Sequence, residues 1–131
     1  MSYKTLKRYQ EKAVNKLLLR TEELLTEDIQ NRTIVFQSPT GSGKTFMMSK
    51  YIEQLIDSKE EIDLCFLWIS IGKGALHLQS YNSLKKEFQG FPDIYLLEQE
   101  FFGSRETIEK NEVVVVNWEK LRSKDNKTGE W

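Results

Sequence analysis

Ser38-Pro39-Thr40-Gly41-Ser42-Gly43-Lys44-Thr45 constrains this chain more than any other stretch. It follows the apolar run Ile34-Val35-Phe36 and precedes a helical stretch beginning near Phe46. A strand, a glycine-rich loop ending in Gly-Lys-Thr and a helix together predict a phosphate site. Gly41 and Gly43 let the backbone curl around an anion with its N–H groups turned inward. Thr40 and Ser42 complete that cradle. The following helix adds its unsatisfied N–H groups and the positive end of its dipole. Lys44 supplies a point charge for β- and γ-phosphates, and the Thr45 hydroxyl is placed to ligate Mg²⁺. The strict pattern has glycine at its first position, where this chain has Ser38; a small residue fits there. The plain alternative is a glycine turn between strand and helix.

The 131 residues have room for one domain and one sizeable core. Charged residues make up 30% of the chain, and the net charge of −1 says nothing about a polyanionic partner. The single cysteine, Cys65, lies in the apolar run Leu64-Cys65-Phe66-Leu67-Trp68. It cannot close an internal disulfide and is expected to be a buried, inert thiol in a reducing compartment. No apolar stretch is long enough to span a bilayer, and the first residues lack a signal-peptide core. A soluble, cytoplasmic protein is expected.

Leu6, Tyr9, Ala13, Leu17, Leu18, Thr21, Leu24 and Leu25 recur at three- and four-residue steps, predicting a helix over about 5–25. Thr33 to Gln37 reads as a short β-branched and aromatic strand. Phe46, Met47, Tyr51, Leu55 and Ile56 mark the next helix, and 57–63 is a charged connection. Leu64 to Ser70 reads as a strand covered on both faces. Leu78, Tyr81, Leu84 and Phe88 mark a third helix, ended by Gly90 and Pro92. Ile94–Leu97 and Val113–Val116 read as further strands, with 101–110 a loop holding at most one helical turn. The alternation predicts an α/β fold, a parallel sheet with helices on both faces. Its ligand belongs outside the carboxyl ends of the strands, where the loop from Ser38 falls. Residues 122–131 form a polar, turn-rich tail.

Leu6-Lys7-Arg8-Tyr9-Gln10, ahead of the glycine loop, resembles the leader of superfamily 2 helicases and translocases, and Ser-Pro-Thr-Gly-Ser-Gly-Lys-Thr resembles their first motif. Among these the chain looks most like the ATPase/restriction (Res) subunit of type III restriction enzymes. The resemblance implies a partial P-loop NTPase, the front of a first RecA-like motor domain spanning 1–131. A helical leader would occupy 1–30, a phosphate-loop core 31–121 and the tail 122–131. It further implies ATP and Mg²⁺ as cofactors, double-stranded DNA as partner and a modification/specificity subunit beside it.

By the same resemblance Gln10 reads the adenine edge, a task its amide suits because it both donates and accepts. Arg8 or Tyr9 then stacks on the base. The alternative is that all three are ordinary residues of a first helical turn. The stretch from Trp68 to Gln79 resembles a family motif that holds the nucleic-acid backbone, with Lys73 as the phosphate contact. The family often has proline where this chain has Ile71-Gly72. The alternative is a strand-to-helix turn with a solvated lysine. His77 packs or faces solvent, since no second ligand stands at metal-site spacing. Asn117-Trp118-Glu119-Lys120-Leu121 resembles a later motif, with Asn117 and Lys120 as backbone contacts. The alternative is a helix N-cap at Asn117 with Trp118 in the core.

Lys4, Lys7, Arg8, Lys12, Lys16 and Arg20 face one acid, Glu11, in the leading segment, a net charge of +5. Such a strip attracts DNA, although a solvated amphipathic face is its more ordinary reading.

Hydrolysis also needs an acid at a later strand end to help hold Mg²⁺ and a group to orient water. The superfamily's Asp-Glu-x-His or Asp-Glu-Ala-Asp motif is not in this sequence, and the valine strand ends in Asn117. The chain is therefore expected to be a fragment of an ATP-driven motor, inactive alone. Two other classes stay open: another P-loop NTPase, such as a kinase or GTPase, and a stand-alone nucleotide-binding module without turnover.

Overall fold

The computed structural model describes residues 5–26, 32–39, 41, 43–71, 75–100 and 107–119. Among these residues are a parallel three-stranded sheet and α-helices, part of a RecA-like α/β domain. By their internal contacts the residues form two compact units, Met1–Ser58 and Lys59–Trp131.

In the first unit, helix α1 (Arg8–Thr26) packs against helix α2 (Lys44–Ser58). The buried residues of α1 are Gln10, Val14, Leu17, Thr21 and Leu24, a row at three- and four-residue steps. This shifts the predicted face. Tyr9 is 51% exposed, and Val14, which the pattern passed over, is 1% exposed. Leu17 and Leu24 of α1 and Met47, Ile52, Leu55 and Ile56 of α2 are buried. Thr21 ties the helices together. Its hydroxyl donates to the Leu17 carbonyl at 2.8 Å and lies 2.6 Å from the Tyr51 hydroxyl. With the Thr21 proton engaged on Leu17, Tyr51 is the donor to Thr21.

Thr33–Gln37 is not a ladder strand. The segment is half-buried at Ile34 and Phe36 and exposed at Thr33, Val35 and Gln37, so the period of two is present. It belongs to no ladder among the described residues. β-propensity describes fit to a pleated, half-buried surface, and a ladder also needs a partner backbone.

In the second unit, strands β1 (Phe66–Ser70), β2 (Asp93–Leu96) and β3 (Glu112–Asn117) form a sheet in the order β1-β3-β2, all parallel. Helix α3 (Leu76–Phe88) packs across all three strands, and the short α4 (Leu97–Glu100) packs on β2 and β3. β3 is buried at every residue. Val114 and Val116 share one face with Leu97 and Ile108. Val113 and Val115 point the other way and are each 0% exposed, so the central strand is sealed on both faces.

β1 departs from expectation. It alternates in burial, with Leu67 49% and Ile69 41% exposed. Cys65, on the same side of the chain one step earlier, is exposed, not buried. Side chains alternate between the two faces of a strand, and an apolar run does not by itself bring cover to both. β2 begins at Asp93 and yields to α4 at Leu97, one residue earlier than the pattern placed its end. α3 ends at Phe88, where Gln89 turns left-handed at φ 53° and Gly90 follows at φ 104°. Among the described residues no helix is long and apolar enough to cross a membrane.

Candidate functional site

The glycine loop turns as its sequence demands. Gly41 and Gly43 both adopt φ 85°, a region that residues with a Cβ occupy at a cost. α2 begins at Lys44, immediately after the second glycine. The Met47 N–H donates to the Gly43 carbonyl at 2.9 Å. The amino-terminal N–H groups of a helix point out of its first turn, and here that end lies at the loop. Lys44 is exposed and Thr45 half-buried. Thr40 and Ser42 lie outside the described residues.

Gln10 reaches this loop from α1. A Cβ added at Gly43 would stand 2.5 Å from the Gln10 Nε2 atom, so the amide rests directly on the glycine. Its Oε1 accepts from the Lys7 N–H at 2.9 Å, while the Lys7 carbonyl accepts from Glu11 at 2.8 Å. Lys7 thus stands at the N-cap, and Gln10, three residues on, returns to it as the glutamine of a capping box does. This explains how an amide can be only 5% exposed on the buried face of a helix. Part of the plain reading of Gln10 therefore has a physical basis. Arg8 and Tyr9 are exposed in the same first turn. A groove of about 610 Å³ runs along α1 beside Ile34–Gln37. Among the described residues, none of the glycine loop lines it.

The loop suits a phosphate on these observations: two left-handed glycines, a helix amino terminus and an exposed lysine in one place. Lys44 and the loop N–H groups would hold phosphate oxygens, and Thr45 would hold Mg²⁺.

The remaining sequence-derived candidates lie in the second unit. Lys73 and Lys120 are outside the described residues. Asn117 closes β3, is 5% exposed, and accepts the Glu119 N–H on its Oδ1 at 2.7 Å. That is the capping geometry of the alternative reading. Trp118, which that reading put in the core, is 43% exposed. His77 packs at 7% exposure, with Nε2 2.9 Å from Glu98 Oε1 and a buried Nδ1 that has no hydrogen-bond partner among the described residues. Nothing local in the sequence announces this pair, because its members stand 21 residues apart.

A glycine-rich loop leading into a helix, here in the first unit, and a parallel sheet, here in the second, are the two features that the P-loop class combines. The sequence model of the ResIII family, the type III restriction enzyme res subunit, matches residues 3–130. The chain belongs to this helicase-like ATPase family. No curated protein and no solved structure matches it.

Proposed function

We propose that this chain is the ATP-binding part of a DNA-dependent motor, the restriction subunit of a type III restriction-modification enzyme. The observation that carries this reading is the loop at Gly41 and Gly43, which leads directly into α2 and has the Gln10 amide resting on it. Lys44 and Thr45 are the residues assigned to catalysis, through the phosphate charge and Mg²⁺. Thr40, Gly41, Ser42 and Gly43 hold phosphate oxygens, and Arg8, Tyr9 and Gln10 take the adenine. Lys73, Asn117 and Lys120 are assigned to the nucleic-acid backbone, and a modification subunit is the expected partner. The helical leader, phosphate-loop core and polar tail keep the bounds 1–30, 31–121 and 122–131.

The acid that orients water is not among these motifs. On this reading residues 1–131 alone do not hydrolyse ATP. The test is phosphate release by the full-length protein with and without duplex DNA. DNA should stimulate release, and Lys44→Ala should cut it by roughly 10²–10³-fold, as removal of one preorganised charge does in other active sites. Wild-type rates in that variant would refute the assignment.

A further inference from the structure

We infer that the exposed face of α1 is a second nucleic-acid contact, with Lys12 and Lys16 as its phosphate-binding residues. The inference takes its partner class from the proposed motor function but stands on different residues.

Arg8, Lys12, Lys16 and Arg20 recur at every fourth position of α1. Residues so spaced line one face, each about 6 Å further along the axis. All are exposed, and the row lies away from the buried row of Gln10, Val14, Leu17, Thr21 and Leu24. Tyr9 and Leu19, 51% and 63% exposed, stand beside the cations. Arg20 is paired with Glu23 at 2.7 Å. Lys12 and Lys16 make no ion pair or hydrogen bond among the described residues. Two charged side chains in a line, one turn apart and without acids of their own, fit successive phosphates of a polyanion.

α1 carries Glu11 in its first turn and Glu22 and Glu23 towards its end, and its last turn holds no base. Lys12 and Lys16 stand between these groups, beyond the reach of the macrodipole, so their charges are not engaged by the ends of the helix. A nucleic-acid backbone is favoured over an acidic protein segment by the regular spacing of the row, which suits evenly spaced phosphates.

The experiment measures binding of a labelled mixed-sequence DNA duplex to the full-length protein over a salt series, for wild type, K12Q/K16Q and K12R/K16R. The glutamine pair should weaken binding by roughly 10- to 100-fold at low salt and reduce the log–log salt slope by about 1.8, two contacts' worth. The arginine pair should keep both. Thermal unfolding and affinity for a fluorescent ATP analogue should not move in either variant. An unchanged slope in K12Q/K16Q overturns the inference and leaves the motor reading intact. Loss of binding to a polyglutamate probe with DNA binding intact also overturns it, in favour of an acidic protein partner. A wild-type protein that binds no DNA overturns both readings together.

Discussion

The glycine loop with α1 and α2, and the sheet of residues 66–117, are organised in opposite ways. The loop's chemistry is local. Gly41, Gly43 and Lys44 lie within four residues, and one side chain from α1, Gln10, meets them. Gly41 and Gly43 turn left-handed and Lys44 starts α2 although the preceding segment joins no ladder among the described residues. The sheet is non-local. β3 pairs with β1 some 47 positions earlier, Phe66 beside Val113, and its sealing depends on Leu97 and Ile108 as well as α3. A short motif needs few partners to take its shape, whereas an apolar run acquires its faces only from what packs on it.

That contrast can be broken first in the sheet, where the expected effect is largest. Leu84 of α3 is 0% exposed, and Leu84→Ala should lower unfolding stability by about 2–5 kcal/mol. Leu67, in the same sheet but 49% exposed, should lose about 0.5 kcal/mol or less on the same change. Paired denaturant titrations of the two variants check this. Equal losses would mean that Leu67 on β1 is covered as well as Leu84 on α3.

A smaller effect sharpens the other side. Gly43→Ala places a methyl 2.5 Å from Gln10 Nε2 and forces alanine to φ 85°. The backbone strain alone costs roughly 1–2 kcal/mol. Displacement of the Gln10 amide adds to it, since that amide also caps α1 through Lys7. In a Gln10→Ala background the added part should vanish and the strain should remain. A double-mutant cycle on unfolding free energies reads the difference. Strict additivity would show that the amide and the glycine do not touch.

The same contrast explains what the sequence revealed. Gly41, Gly43 and Lys44 were legible because each residue type has one local job. The parallel order and the burial of Val113–Val116 were legible because four consecutive valines leave no polar face. Thr33–Gln37 misled because its alternation is real while it joins no ladder among the described residues. Cys65 and Leu67 misled because hydropathy does not say which face of a strand will be covered. On α1, Tyr9 and Gln10 are neighbours, and hydropathy favours the tyrosine for burial. The capping bond from Lys7 makes the glutamine the buried one. The His77–Glu98 contact is of the same kind, since its partners meet only once α3 and α4 pack.

The central claim is that the loop from Gly41 to Thr45, with Gln10 against it, holds an adenine nucleotide. It is tested most directly by calorimetric titration of the full-length protein with a non-hydrolysable ATP analogue and Mg²⁺, against the GTP counterpart, in wild type and in Lys44→Ala. The account predicts tighter binding of the adenine analogue by the wild type and loss of most of that affinity in the variant. Equal affinity in the two proteins, or a preference for guanine, would contradict it.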